Sequence, residues 1–288
     1  MKKIFLYFSV LSVFFFFSCA AAKQQHIKDE YIETESGSLI SKELKFNGTY
    51  ENEKYIFLRL YNVYYSDECQ IGNLLKVAIG ILGPAPDGLL YTHVAISDKL
   101  TDNFVGMTTG GKNNAKYESV MQPEKNRYLA SNDKYRSTCT VIAIPCSAID
   151  YENCKNLIEY SALPDSRFYF GITDIIGICG IRASNKRKTK SYSLKSTAVK
   201  DPEPVLSPQD EFKSHVYCCS AYCAYILIHG IQRYKDYAEA THFSPRGVTP
   251  ADLYSVQGGQ RLFNCHYLDY TQTLNEFIET YPEFAEYL

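Results

Sequence analysis

The chain has 288 residues, 45% of them hydrophobic and 22% charged, which is enough to bury a large core, and one main domain is the economical expectation. Its formal net charge of -2 leaves no basic footprint of the kind that gathers nucleic acid, so a nucleic-acid partner is set aside.

The N-terminus carries a processing signal. Met1-Lys2-Lys3 is a basic start, Ile4 to Phe17 is an apolar run, and Ser18-Cys19-Ala20 follows. The run is short for a transmembrane helix and ends in small residues, as export signals do. Phe16-Phe17-Ser18-Cys19 resembles a relaxed bacterial lipobox. That resemblance makes residues 1–18 a lipoprotein signal peptide and Cys19 the lipid-bearing first residue of the mature chain, anchored to a membrane of the cell envelope. Ala20-Ala21-Ala22 supplies an alternative cleavage site, which would release a secreted protein. Residues 19–53 are polar and aperiodic and read as a flexible tether.

Ordered structure is expected from Lys54 onward, giving a domain over residues 54–288. Lys54 to Tyr61 is aromatic and β-rich; Leu74, Leu75, Ala78, Ile79 and Leu82 follow helical spacing over Ile71 to Leu82, and Gly83-Pro84 ends that helix. Strands are predicted over Leu89 to Ser97, Asn103 to Thr109 and Cys139 to Pro145, and a helix over Ala148 to Ala162. Phe168 to Ile181 is a Gly-interrupted apolar segment, open between helix, strand and substrate-lining wall. Residues 183–212 combine the basic run Asn185 to Lys190 with the proline-rich Asp201 to Pro208 and read as an exposed insertion. A helix is expected to begin near Cys219, run to His229 and be capped by Gly230. Thr249-Pro250-Ala251-Asp252-Leu253 starts a short helical turn, Arg261 to Leu268 reads as a strand, and Leu274, Phe277, Ile278 and Tyr281 mark a closing helix. No repeat of solenoid length is present.

Of ten cysteines, nine remain besides Cys19, and an odd number cannot all pair within one chain. A thiol nucleophile needs a lowered pKa, a nearby base and a group that holds the base. Cys218 and Cys219 lie where the apolar helix begins, so helix-end N–H groups and the dipole favour thiolate there. Cys223 is one turn inside, on the face of Cys219, and reads as a small core residue. His93 in the strand "LLYTHVAIS" is the candidate base, on the side of Tyr91 and Ala95 and opposite Thr92, Val94 and Ile96.

Taken in order, "YTHVAIS", "YCCSAYCAYIL" and "VTPADLY" resemble the circularly permuted branch of the NlpC-type papain-like cysteine peptidases and amidases, in which the histidine strand precedes the cysteine helix. With "IFLRLYNVYY" and "IGNLLKVAIGILG", the resemblance spans roughly residues 54 to 270. It implies an α+β fold of the permuted papain-like type, an antiparallel sheet packed against the helix that carries the nucleophile. Carried over, it makes Cys219 the nucleophile and His93 the general base, with a polar third residue on a strand between them. Glu118 in "AKYESV" is the choice, since a carboxylate there accepts the imidazole N–H and fixes the tautomer; Thr108 and Thr109 are weaker competitors. The implied chemistry is acyl transfer with the Cys219 N–H as oxyanion donor. The implied partners are a peptide, peptidoglycan stem-peptide or acyl-amide substrate, and no cofactor is expected.

Two rival readings stand beside this one. His215, Cys218, Cys219 and Cys223 have spacings that suit a tetrahedral zinc site. The same scaffold without activity would be a disulfide-containing binding lipoprotein, with pairs drawn from Cys69, Cys139, Cys146, Cys154, Cys179 and Cys265. No role falls to His26, His242 or His266. His229 is accounted for by the helix C-terminus and Asp252 by capping.

Overall fold

The computed structural model describes residues 30–46, 48, 50, 52–62, 85, 89, 91–107, 115–119, 138–164, 166, 168–170 and 215–288. The signal peptide with Cys19, the helix expected over Ile71 to Leu82, Thr108, Thr109 and the insertion at 183–212 lie outside them.

The strands are β1 (Tyr31–Glu33), β2 (Leu39–Ser41), β3 (Lys54–Asn62), β4 (His93–Ser97), β5 (Asn103–Met107), β6 (Ala115–Ser119), β7 (Thr138–Cys146), β8 (Phe168–Phe170), β9 (His215–Tyr217) and β10 (Gln260–His266). The helices are α1 (Ala148–Ala162), α2 (Cys219–Gly230), α3 (Gln232–Thr241), α4 (Pro250–Tyr254) and α5 (Tyr270–Thr280). Eight strands form one sheet in the order β1-β2-β10-β7-β3-β4-β5-β6, antiparallel at each of its seams. The protein is therefore α+β.

Both faces of this sheet are covered, and the sequence of β3 shows why. KYIFLRLYN does not alternate apolar with polar, because its successive residues enter two different cores. Ile56, Leu58 and Leu60 join Val94, Ile96, Val105, Ile142 and Ile144 under α1 and α2. Phe57 and Tyr61 join Ala95, Phe104, Val141, Ala143 and Phe263 under Tyr270, Leu274 and Phe277 of α5. α2 is buried from Ser220 to Ile228, as expected of a segment apolar all round.

Three expectations are corrected here and one open reading is resolved. The tether expected to run to residue 53 is already part of the sheet at Tyr31: β1 and β2 form a hairpin paired to β10. Ser38 and Ser41 are buried there, with the Thr273 hydroxyl donating to Ser38 at 2.8 Å. Three-residue strands with buried serines carry no readable alternation. The strand expected from Leu89 begins at His93. Phe168–Phe170, left open, is a strand running parallel to β9. Gly230 is not a left-handed cap; it is the last residue of α2 and has no positive φ. Its role is steric, since an added Cβ would overlap the Cys154 sulfur and fall 3.1 Å from Cys154 Cα. The helix α3 that follows was not anticipated. Its first amide, Gln232 N–H, donates to the buried Asp150 of α1 at 3.0 Å, a cap supplied from across the structure that no local motif announces.

Candidate functional site

Cys219 is the first residue of α2. Cys218 stands at the N-cap without capping through its side chain, so helix-end N–H groups at this terminus are not taken up by the capping residue. The next residue, Ser220, is buried, and its hydroxyl donates to the Val248 carbonyl at 2.7 Å. That bond docks the turn before α4 onto the start of α2. Thr249 and Asp252 then cap α4 reciprocally, which is the role expected of Asp252. Ser220 and Asp252 thus set where the helix begins rather than entering its chemistry.

His93 opens β4 opposite Tyr61 of β3 and is fully buried. Its Nε2 lies 2.9 Å from Glu118 Oε1 and 2.9 Å from Oε2. The Cys219 sulfur lies near enough to act on the charge of the ring. The three residues chosen as a site are therefore brought together, from β4, β6 and the start of α2.

The electrostatics of the ring are dominated by two opposed effects. Burial disfavours the charged imidazolium and pushes its pKa down; the Glu118 carboxylate, followed by the Cys219 sulfur, outweighs it and raises the ring to about 10. His93 is accordingly a charged donor to Glu118 at neutral pH. The other thiols nearby behave differently. Burial pushes Cys146, Cys154 and Cys223 well above the usual thiol range, which leaves them inert small hydrophobes. Cys223, one turn inside α2, sits on the Val94 carbonyl at 3.7 Å. Among the seven described cysteines, all unpaired by disulfides, Cys219 alone is not buried.

Two positions that the sequence reading passed over make this geometry possible. Gly106 on β5 lies between the partners, and a Cβ there would fall 2.6 Å from Glu118 Cδ. Only a residue without a side chain lets the carboxylate cross β5 to reach His93. In Gly106→Ala the flexible Glu118 side chain yields rather than the backbone. The variant is expected to fold with a near-UV spectrum like wild type while Cys219 alkylation slows to the rate of Glu118→Gln; unchanged alkylation would mean the glycine plays no part. The second position is Arg59, a charge in the middle of an otherwise apolar stretch of β3. That much was visible in the sequence, although not what it would hold.

The zinc reading finds no support among the described residues, where no group of three or more His, Cys, Asp or Glu side chains could hold a metal; the His215 side chain is not among them. The disulfide expectation is not met by Cys139, Cys146, Cys154 or Cys265, which are free. Cys139 and Cys265 face each other across β7 and β10 with their sulfurs 3.6 Å apart. His229 lies against Tyr225, ring centroids 4.1 Å apart, and His242 ends α3 in the left-handed region. No described helix is long and apolar enough to cross a membrane.

Compared with models of protein families, with curated proteins and with solved structures, the chain matches none of them. The site therefore rests on its own geometry.

Proposed function

We propose that this chain is a thiol hydrolase that cleaves an amide bond through a Cys219–His93 acyl-enzyme mechanism, on a permuted papain-like fold. The observation that carries the reading is the convergence of a partly buried thiol at a helix start, an imidazole near it, and a buried carboxylate on the ring's Nε2. A nucleophile, a base and a group that orients the base are the parts such chemistry requires. The antiparallel sheet, with its histidine strand preceding the cysteine helix, agrees with the permuted arrangement.

In the proposed cycle, the proton of the thiol already rests on His93, and the sulfur bonds to the substrate carbonyl carbon. The developing oxyanion is met by N–H groups at the start of α2. The C–N bond then breaks as the imidazolium gives its proton to the departing amine, leaving a thioester on Cys219. Water, losing its proton to His93, attacks the thioester; the acid departs and the sulfur beside a protonated ring is restored. Glu118 keeps its contact with the ring throughout and stabilises the imidazolium.

The N-terminal signal favours an envelope location, with Cys19 lipid-anchored, and so makes peptidoglycan stem peptides the leading substrate class among amides. The test is incubation of the purified protein with stem peptides, other peptides and acyl-amides, followed by mass spectrometry. Cleavage with an acyl adduct on the Cys219 peptide, absent in Cys219→Ala, is the expected result. Absence of both product and adduct across the three classes would leave the chain a binding protein on this scaffold.

A further inference from the structure

We propose that Arg59 is a positioning residue for the Glu118–His93 pair, tying the strand that carries Glu118 to the aromatic ring that backs His93. The inference deepens the hydrolase reading and rests on it for its purpose, but not for its geometry.

A buried guanidinium is costly, and a strand interior accepts one only when its donors are used. Arg59 is fully buried, and each of its bonds leads to the site. Nη2 donates to the Glu118 carbonyl at 2.7 Å. Nε donates to the Tyr61 hydroxyl at 2.6 Å, and the Tyr61 ring lies 5.3 Å from the His93 ring. Nη1 donates to the Asp102 carbonyl at 2.9 Å, in the turn that leads into β5, and Asp102 in turn accepts from the Ser119 hydroxyl at 2.5 Å. The cation's body packs on Phe104, 4.3 Å from the ring centroid.

The topology makes these bonds informative. Arg59 is on β3 and Glu118 on β6, with β4 and β5 between them. In a flat sheet three strand spacings amount to roughly 14 Å, more than one side chain bridges. A 2.7 Å contact therefore requires β3 to β6 to curl around the guanidinium, and the same curl lets Glu118 reach His93 across Gly106. Arg59 sits at the centre of that curl. An apolar residue would fill the volume but leave the Glu118 backbone and Tyr61 unfastened.

The groups that face His93 are Glu118 from β6, Tyr61 and, behind it, Arg59 from β3, and Cys219 from α2, with Cys223 of α2 beneath Cys219. The His93 ring thus reports on the arrangement without any substrate. The experiment follows the His93 ring resonances by NMR from about pH 5 to about pH 10, assigned by their absence in His93→Gln, in wild type, Arg59→Met and Arg59→Lys. Folding is checked by near-UV circular dichroism. The expected result is a ring that stays protonated past neutrality in wild type and whose midpoint falls by about two units or more in Arg59→Met, with Arg59→Lys falling in between because an ammonium still donates to some of the same acceptors but loses the fork. If Arg59→Met does not fold, Arg59→Lys decides alone. A folded variant whose His93 titrates as in wild type overturns the proposal and leaves Arg59 a core filler. The hydrolase reading fails separately, by an inert Cys219 in wild type, whatever Arg59 does to the ring.

Discussion

Treatment of the wild-type protein with limiting iodoacetamide at mildly acidic pH is expected to label one cysteine fast, Cys219, and Cys219→Ala should remove that phase entirely. The expectation follows from contrast rather than from Cys219 alone. Six other described cysteines are buried, and for Cys146, Cys154 and Cys223 burial also raises the pKa, so both access and thiolate content are against them. Cys219 combines exposure with a ring that is protonated at neutral pH and beside it. His93→Gln keeps a polar partner for Glu118 but cannot carry the proton. It should slow Cys219 alkylation, and any amide hydrolysis, by on the order of a hundredfold or more. Peptide mapping after labelling reads both results. Uniform slow labelling of all thiols in wild type would remove the basis for a nucleophile here.

Glu118→Gln is the second large effect, and its sign depends on pH. The wild-type ring has its pKa raised from the ordinary 6.5 to about 10 because the carboxylate outweighs burial. A group raised on folding adds stability below its unfolded value, and that contribution fades as pH climbs through the folded one. The pair should therefore stabilise the protein fully below about pH 6.5 and lose its effect toward pH 10. In Glu118→Gln burial remains and the opposing charge is gone, so the buried ring prefers to be neutral and acid now destabilises. Removing one member of a buried pair costs about 3–5 kcal/mol. Thermal unfolding of both proteins should show a large Tm gap at pH 6 that narrows steadily toward pH 10; a gap independent of pH would mean that His93 is not charged in the folded state. The same variant should lose the fast labelling of Cys219, because a ring without Glu118 is neither held nor charged.

Much of the local structure could be read along the chain. CTVIAIP is a strand, β7, one residue wider at each end; α1 has the bounds expected of it, with Ser147 accepting from the Asp150 amide. Cys219 could be ranked above Cys218 and Cys223 because a helix start and a helix interior differ chemically, and that difference is present in the order of residues. Glu118 was chosen for what a carboxylate could do beside an imidazole, and it lies at His93. Its hydrogen bond follows from no spacing, since β5 separates the two strands.

Residue order settled the elements whose signal repeats within a few positions, together with the chemical character of the candidate site: a thiol at a helix end, a lone strand histidine, an acidic residue between. Folding in three dimensions decided that β1 and β2 close one end of the sheet, that Gly230 is small because Cys154 presses on it, that Gly106 is bare because Glu118 passes over it, and that Arg59 fastens β6 to β3. The physical reason is range. Periodicity and capping act between covalent neighbours, whereas these contacts depend on strand register and on the curl of the sheet, which arise only when segments far apart in the chain compete to bury the same surface.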